Sequence, residues 1–350
     1  MPHSVTERTA AAQTLPAAVP DPGAADLLAR CIGLVAKELA DAEVRLRQML
    51  ESSITIIPEV SGHLAFAGGK RLRPLLTLLC AQAAGFTDDC RITLAAVGEL
   101  LHTATLLHDD VIDEGEFRRG RPTPRVVYGN GIAVLTGDYC LARALTATAD
   151  LGHVVAFQTM SHTVAQMAEG EVLQLHGAGD VELDRAKYDL VIERKTATLI
   201  AWCAEVAGLV DPAYRTPLRR FGMELGYAFQ IADDLLDYGL RDATGPGVTG
   251  KNPGQDLREG KWTLPLLLAC ETDEALRADV HAALKAGPPM AEDVATDIVR
   301  RVLASDGVAR ARAVAEGHAQ RASAALDALP DSPARTALQD IPAYVVKRKH

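Results

Sequence analysis

The sequence predicts an all-α fold in a single large domain. Its composition favours helices, since Ala, Leu, Glu and Arg are plentiful whereas aromatic residues make up only 4% of the chain. From Ala25 onward, apolar residues recur at intervals of three and four, and turns such as Gly129-Asn130-Gly131 interrupt them. A chain of 350 residues is long enough to bury one continuous core. We therefore expect about ten or more helices in one bundle, joined by short loops.

The two ends of the chain differ from this helical body. Residues 1–24 are rich in Ala, Thr and Pro and lack the basic start and compact apolar centre of a signal peptide, which predicts a disordered leader before a domain spanning 25–350. The basic residues at 344–350 are either solvated or fold back as a lid. No apolar run approaches the roughly 20 residues of a membrane span without charge or His, so no transmembrane segment is expected.

The charge and the cysteines argue against three kinds of protein. A formal net charge of −10, with no block of Lys and Arg before the last residues, argues against nucleic-acid binding and suits a protein that gathers cations. The six cysteines form no C-x-x-C pair, which fits neither a disulfide framework nor a zinc site. We interpret them as structural thiols in a reducing compartment, which predicts a cytoplasmic protein; they are Cys31, Cys80, Cys90, Cys140, Cys203 and Cys270.

Two aspartate clusters of the form DDxxD, at residues 109–113 and 233–237, carry the main functional signal. Each ends an apolar helical run, and helical spacing places the first and last carboxylates of a cluster on one face. Such carboxylates repel each other and the dipole of a helix C-terminus, so a cation should compensate them. Mg²⁺ takes one or two protein carboxylates and completes its shell with water and phosphate. The clusters therefore predict a metal-diphosphate site.

Basic segments with nearby glycines accompany both clusters. Arg supplies a planar fork for phosphate oxygens, Lys supplies a mobile charge, and Gly lets the backbone approach an anion. One DDxxD alone would fit a solvated acidic helix end equally well, and single surface lysines are common. Four basic blocks beside two aspartate clusters favour diphosphate binding; the blocks are residues 68–74, residues 118–123, Lys195 with Thr196, and Gly250-Lys251 with Lys261.

Together these motifs resemble those of the trans-type polyprenyl diphosphate synthases, especially the long-chain enzymes that make octaprenyl or decaprenyl diphosphate. The resemblance covers roughly residues 25–350 and is carried by GGKRLRP, DDVIDEGEFRRGRPT, RKTATL, FQIADDLLD and GKNPGQDLREGKWTLP. It implies a helical bundle of the isoprenoid synthase type around a deep central cavity, and a homodimer. It also implies about three Mg²⁺ ions per active site with substrate bound. The implied reaction joins an allylic diphosphate, farnesyl or geranylgeranyl, to successive isopentenyl diphosphate units.

The resemblance also assigns roles to individual residues. Asp109, Asp113 and Asp233 would bind Mg²⁺, supported directly or through water by Asp110, Asp234 and Asp237, and Lys195 and Lys261 would stabilise the leaving diphosphate. The contacts to isopentenyl diphosphate would be Lys70, Arg73, His102 and Arg119, and those to the allylic diphosphate would be Arg118, Lys195, Thr196, Gln230, Lys251 and Lys261. For His102, a histidine packed in the core is the competing interpretation.

Small residues one turn before the first cluster bear on product length. In the resembling family an aromatic residue here closes the pocket, so Ala104 and Thr105 favour a medium- or long-chain product, as for quinone side chains. Leu101 lies deeper and could line or set the floor. If the helix begins near Asp88 or Asp89, its first 20 or so residues give about 30 Å of wall. Small residues chosen only for helix packing are the alternative.

Four other functions are weighed against this one. A short-chain geranylgeranyl or farnesyl diphosphate synthase would use the same motifs with a shorter cavity. A terpene cyclase would need neither a second DDxxD nor the isopentenyl contacts Lys70, Arg73 and Arg119. A non-catalytic partner subunit would be expected to lose aspartates or basic contacts, and both sets are intact. A structural or cation-buffering helical protein would bind Mg²⁺ and release no pyrophosphate.

Overall fold

The computed structural model describes residues 22–68, 71–118, 120–177, 184–239, 253–287 and 289–347. Within these residues the protein is all-α, as predicted, apart from one antiparallel ladder of β1 (Phe117–Arg118) with β2 (Arg121–Pro122). A π-helix spans Glu193–Ala197, and 3₁₀ turns span Val206–Leu209 and Leu326–Ala328. The α-helices are α1 (Pro22–Leu34), α2 (Ala36–Met49), α3 (Ile56–Ala65), α4 (Leu72–Ala84), α5 (Cys90–Ile112), α6 (Pro124–Tyr128), α7 (Asn130–Asp150), α8 (Val154–Gly177), α9 (Arg185–Ile192), α10 (Thr198–Glu205), α11 (Pro212–Asp237), α12 (Gln255–Arg258), α13 (Leu264–Thr272), α14 (Glu274–Ala286), α15 (Glu292–Ala304), α16 (Gly307–Ala325) and α17 (Pro333–Lys347).

Two long helices, α5 and α11, carry the two aspartate clusters at their C-terminal ends. Helix α5 begins where predicted, because Asp89 is its N-cap and Asp88 accepts the backbone N–H of Cys90 at 2.8 Å. Helix α5 packs against α2, α4 and α7, and α11 packs against α10 and α16. Each cluster is therefore held by a helix that lies deep in the bundle.

The apolar character of α5 follows from its place in the core. By length and composition alone, α5 is apolar enough to cross a membrane. Its apolar run is interrupted by Glu99 and His102, as expected from the sequence. In the fold, 72% of this apolar stretch is buried inside the protein. Helix α5 therefore packs as the core helix of a bundle.

The core consists of one large apolar cluster and two smaller ones. Trp202 on α10 and Phe221 on α11 are the largest fully buried side chains of the large cluster. The third cluster joins Tyr188 on α9, Leu235 on α11 and Val346 on α17. The end of α11, with its aspartates, is thus packed against both α9 and the last helix.

Helix α17 includes residues 344–347 of the expected tail, of which only Lys347 is basic. It runs to Lys347, and its residues Val345 and Val346 are buried. The tail is thus helical and packed up to that residue, while residues 348–350 lie outside the described residues. The expected leader also lies outside them, except that α1 already begins at Pro22.

All six cysteines are buried free thiols. Burial raises the pKa of Cys203 and of Cys140 to about 12, so neither thiol ionises near neutral pH. The burial of all six agrees with the prediction of structural thiols.

Candidate active site

The first aspartate cluster combines one buried carboxylate with two more accessible ones. Asp110 is 2% exposed, and Nε of Arg118 donates to its Oδ1 at 2.8 Å. The β1–β2 ladder turns the chain through Gly120, at φ +74°, and brings Arg118 back to α5. Asp109 is partly buried, and Asp113 at the helix end is exposed. Arg118 therefore fixes the cluster, while Asp109 and Asp113 remain accessible to a ligand.

Asp109 lies where its negative charge is poorly solvated. Burial raises its pKa to about 6, Lys195 opposes this rise, and Glu171 and Asp113 add to it. The ionised form of a poorly solvated carboxylate is stabilised by any further positive charge nearby. The surroundings of Asp109 therefore favour a bound cation.

The second cluster repeats the arrangement of the first. Asp234 is 3% exposed, and it accepts hydrogen bonds from the hydroxyl group of Tyr188 at 2.5 Å and from Nε2 of Gln230 at 3.0 Å. Burial raises the pKa of Asp234 to about 7, although both hydrogen bonds oppose that rise. In both clusters, then, the second aspartate is buried and held by the side chain of another element.

Asp237 differs from its counterpart Asp113. Its carboxylate accepts the backbone N–H groups of Gln255 at 3.0 Å and of Asp256 at 3.1 Å. These bonds cap the short helix α12 and tie it to the end of α11. Asp237 therefore stabilises the contact between α11 and α12, which is compatible with its expected supporting role. Asp233 lies one turn earlier and is partly buried.

Lys261 connects the two clusters electrostatically. Its Nζ lies 2.8 Å from Oε2 of Glu259. Burial disfavours its charge, yet the carboxylates of Glu259, Asp113 and Asp256 outweigh burial and raise the pKa of Lys261. Asp113 belongs to the first cluster, and Asp256 follows the second. Lys261 therefore lies near Asp113 of the first cluster and near Asp256, whose backbone N–H is bonded to Asp237 of the second cluster.

The π-helix carries Lys195 and Thr196. Nζ of Lys195 lies 2.6 Å from Oε2 of Glu171 on α8. The hydroxyl group of Thr196 donates to Oε1 of Gln230 at 3.0 Å, and Gln230 in turn donates to the second cluster. A π-turn within a helical segment frequently marks a functional site. Here it places two expected substrate contacts beside the aspartates.

Two glycines let neighbouring helices approach the π-helix closely. A Cβ atom at Gly170 of α8 would lie 2.9 Å from the backbone nitrogen of Lys195. A Cβ atom at Gly226 of α11 would lie 2.4 Å from Cα of Ala197. Because both spaces exclude a larger side chain, the backbone of the π-helix is held between α8 and α11.

The expected isopentenyl diphosphate contacts are partly described. Arg73 lies in the first turn of α4 and His102 in α5, and both side chains are partly buried and engaged with neighbouring groups. In the sequence, Arg71 stands between Lys70 and Arg73. Its backbone is left-handed, with φ +46°, and its guanidinium lies 3.0 Å from the carboxylate of Glu99. The residues that lie outside the described part of the chain are Lys70, Arg119 and Lys251.

The residues expected to bear on product length lie against the core. Ala104 is 4% exposed, and both Ala104 and Leu101 belong to the large apolar cluster. Thr105 is partly buried, and its hydroxyl group donates to the carbonyl oxygen of His102 at 2.9 Å. A larger side chain at Ala104 would therefore have to displace its apolar neighbours.

The carboxylates suit a Mg²⁺ ion that is shared with a substrate. In the described ranges, no three Asp, Glu, His or Cys side chains lie close enough to hold an ion by themselves. Oδ2 of Asp110 is buried and has no hydrogen-bond partner among the described residues. Mg²⁺ usually keeps one or two protein carboxylates and takes its other ligands from water and phosphate. Asp109, Asp113 and Asp233 could supply such ligands.

Two residues of the site, Glu171 and Tyr188, were missed by the sequence analysis. Glu171 follows Gly170 inside α8, and a glycine within a helical run is a signal of close contact that was readable. Tyr188 lies 46 positions before Asp234, and no local pattern connects the two.

Comparison with known proteins identifies the relatives of this chain. The polyprenyl synthetase family model matches residues 54–302. Octaprenyl diphosphate synthase of Escherichia coli (strain K12) is 37% identical over 319 residues, which cover 90% of this chain and 97% of that protein. The crystal structure of a decaprenyl diphosphate synthase from Rhodobacter capsulatus has a TM-score of 0.86 at 38% identity, covering 92% of this chain and 99% of that one. Polyprenyl synthase from Caulobacter crescentus CB15, complexed with calcium and isoprenyl diphosphate, has a TM-score of 0.84 at 36% identity, covering 96% of this chain and 100% of that one. The chain belongs to the polyprenyl synthetase family.

Proposed function

We propose that this protein is a Mg²⁺-dependent prenyltransferase that makes a medium- or long-chain all-trans polyprenyl diphosphate. Its substrates are an allylic diphosphate, farnesyl or geranylgeranyl, and successive units of isopentenyl diphosphate. One observation carries the proposal: the two aspartate clusters share one arrangement, each with a buried second aspartate held by another element, and Lys261 lies near the ends of both. The calcium and isoprenyl diphosphate bound to the Caulobacter relative support the same ligand class.

The positive side chains of the site would stabilise the leaving diphosphate. Arg118 lies on β1, Lys195 on the π-helix, and Lys261 just before α13. As the allylic C–O bond breaks, negative charge grows on the diphosphate, and pre-positioned cations stabilise it most at that moment. Mg²⁺ held by Asp109, Asp113 and Asp233, about three ions per site, would add Lewis-acid stabilisation of that charge. Thr196 and Gln230 orient the head group from the π-helix and α11.

Carbon–carbon bond formation follows on the isopentenyl side. Arg73 and His102, with Lys70 and Arg119, hold the isopentenyl diphosphate so that its double bond attacks the allylic carbon. The new bond leaves a carbocation that loses a proton, for which the departing diphosphate is the proposed acceptor. Apolar walls from α5 exclude water from the cation.

We assign the control of product length to the part of α5 that precedes the first cluster. Ala104 and Thr105 are small, and Leu101 lies a turn deeper in α5. The Escherichia coli and Rhodobacter relatives are octaprenyl and decaprenyl diphosphate synthases, which supports a long product. A quinone side chain is the proposed use of that product, and the cytoplasm is the proposed location of the enzyme.

A homodimer is proposed from an exposed apolar face on α6, α7 and α8. Large apolar side chains lie at the surface of these three consecutive helices, which is more than scattered exposure would produce. A second copy of the chain could cover this face. The residues are Val126, Val127, Ile132, Leu135, Val154, Phe157, Val172 and Leu175.

The proposed reaction is tested by incubating the protein with labelled isopentenyl diphosphate, farnesyl diphosphate and Mg²⁺, and then separating the dephosphorylated lipids by chromatography. We expect products longer than geranylgeraniol with the wild type and none with Asp109→Asn. Products that stop at geranylgeraniol would leave the reaction standing and overturn the long-chain assignment. No elongation with farnesyl diphosphate, or with geranylgeranyl diphosphate in a second incubation, would favour a terpene cyclase or a non-catalytic partner subunit.

A further inference from the structure

Glu171 on α8 holds the ammonium group of Lys195 before any substrate is present. The two charged atoms lie 2.6 Å apart, and the side chain of Glu171 is only 15% exposed. The neighbouring Gly170 brings α8 into direct contact with the backbone of Lys195, so the pair is held by the packing of two elements. This ion pair is therefore more restrained than one between two mobile surface side chains.

The second oxygen of Glu171 shows that the carboxylate is incompletely satisfied. Oε1 is buried and has no hydrogen-bond partner within the described ranges. A buried acceptor without a donor is costly, so it marks a place where a further positive group would be stabilising.

Glu171 and Asp109 share the positive charge of Lys195. The negative charge of Glu171 acts on Asp109 in the same direction as that of Asp113, while Lys195 acts in the opposite direction. Around Asp109, the positive charges of Lys195 and Arg118 thus stand against the carboxylates of Glu171, Asp113 and Asp109 itself, and Arg118 is already paired with Asp110. An incoming diphosphate would meet excess negative charge, and the lysine expected to bind it is already neutralised.

We propose that Glu171 is a positioning residue that makes diphosphate binding depend on Mg²⁺ by restraining Lys195 in the empty site. The inference rests on the proposed function, because it takes Lys195 as a diphosphate contact. When Asp109 and Asp113 are satisfied by divalent cations, the excess negative charge is relieved. Lys195 can then turn from Glu171 to the phosphate oxygens. Without Glu171, Lys195 would be available to diphosphate whether or not a metal is bound.

The same helix offers a matched control. Oε2 of Glu169 pairs with Nη1 of Arg194 at 2.6 Å, also between α8 and the π-helix, but the side chain of Glu169 is 57% exposed. The two pairs have the same length and join the same elements. They differ in burial and in the proximity of Glu171 to Asp109. Glu169→Gln therefore removes an equivalent charge without touching the proposed restraint.

The test is isothermal titration calorimetry of inorganic pyrophosphate, with Mg²⁺ and with a chelator, into wild-type protein, Glu171→Gln and Glu169→Gln. We expect Glu171→Gln to bind metal-free pyrophosphate about tenfold more tightly than the wild type, the usual size of coupling between two sites. The ratio of its affinities with and without Mg²⁺ should fall by about the same factor. Glu169→Gln should match the wild type. A ratio for Glu171→Gln equal to that of the wild type would overturn the inference.

Two further results separate the possible failures. Wild-type protein that binds no pyrophosphate even with Mg²⁺ would overturn the proposed function itself. If Glu171→Gln does not fold, as judged by circular dichroism, Glu171→Asp decides the question. This variant keeps the charge but draws it back from Lys195, and it should bind metal-free pyrophosphate more tightly than the wild type. No increase in that variant would also overturn the inference.

Discussion

The hydroxyl group of Tyr188 donates a hydrogen bond of 2.5 Å to the buried carboxylate of Asp234, across 46 positions of the sequence. Gln230 donates to the other oxygen of the same carboxylate and accepts from Thr196. One chain of hydrogen bonds therefore joins α9, the π-helix and the second aspartate cluster. Both donors oppose the effect of burial on the pKa of Asp234, so each helps to keep this carboxylate ionised.

Replacing Tyr188 with Phe should weaken both the fold and the second cluster. The loss of a donor to a buried carboxylate costs about 1–3 kcal/mol, and the pKa of Asp234 should rise further. We expect a lower urea midpoint and a higher Mg²⁺ concentration for half-maximal activity. Tyr128→Phe is the control, because the hydroxyl group of Tyr128 donates to Glu59 in an exposed pair at 3.1 Å. Equal behaviour of the two variants would contradict this role of Tyr188.

Replacing Gly226 with Ala should displace the π-helix. The added Cβ would lie 2.4 Å from Cα of Ala197, so one of the two backbones must move. Overpacking of this kind costs about 1–3 kcal/mol, and we expect a comparable loss in the free energy of unfolding together with reduced activity.

In contrast, Gly33 lies within α1 with nothing within 4 Å of its added Cβ. Gly33→Ala should stabilise the protein by about 0.5–1 kcal/mol, as measured by urea denaturation.

The stability of the metal-free protein should depend on pH through the buried carboxyls. Burial raises the pKa of Asp109 to about 6 and that of Asp234 to about 7, from an ordinary value of 3.8. Between about pH 4 and pH 7 the folded state therefore binds more protons than the unfolded state, so the free energy of unfolding falls as pH rises. Urea denaturation at pH 5 and pH 7.5 should show that the free energy of unfolding falls less with pH in Asp109→Asn than in the wild type. If the free energy of unfolding changed between pH 5 and pH 7.5 by the same amount in Asp109→Asn and in the wild type, the raised pKa of Asp109 would be contradicted.

Much of the site could be predicted from the sequence, because its motifs lie at helix ends. The two DDxxD clusters end α5 and α11 as expected, since apolar periodicity and a terminal run of carboxylates are both local signals. The roles of Tyr188 and Glu171 could not be predicted in this way. Each depends on which helices become neighbours, and that is decided by packing over the whole chain. The π-helix escaped prediction for the same reason, because residues 193–197 read as ordinary helix.

Replacing Ala104 with Phe should shorten the product. Ala104 is buried in the large apolar cluster, so an aromatic ring must occupy space along the wall of α5. We expect chromatography to show shorter lipids, with a loss of stability of about 1–3 kcal/mol from overpacking. Thr105→Val, which keeps the volume and loses only the hydroxyl group, should leave product length unchanged. Full-length product from the Phe variant would place the chain-length determinant elsewhere.

Replacing Leu135 with Glu should disrupt the proposed dimer. Leu135 is 66% exposed on α7, at the apolar face formed with α6 and α8, and a buried unpaired charge is strongly unfavourable in an interface. Sedimentation equilibrium should show a dimer for the wild type and a shift towards monomer for this variant. Leu303 on α15 is 44% exposed and lies outside that face, so Leu303→Glu should remain dimeric. A monomeric wild type would refute the proposed assembly.

The π-helix at Glu193–Ala197 also sets a limit on how this region can vary in length. Each residue of an α-helix turns the chain by about 100°, and the π-turn takes up one residue more than an α-turn. A single deletion there would convert the π-turn into an α-turn and leave α9 and α10 close to their present orientation, whereas a single insertion would rotate α9 against α10 by about that angle. After an insertion, Tyr188 would point away from Asp234 while Thr198 and the residues after it stayed in place. Among variants of this protein, the segment should therefore tolerate changes of side chain or the loss of one residue far better than an insertion.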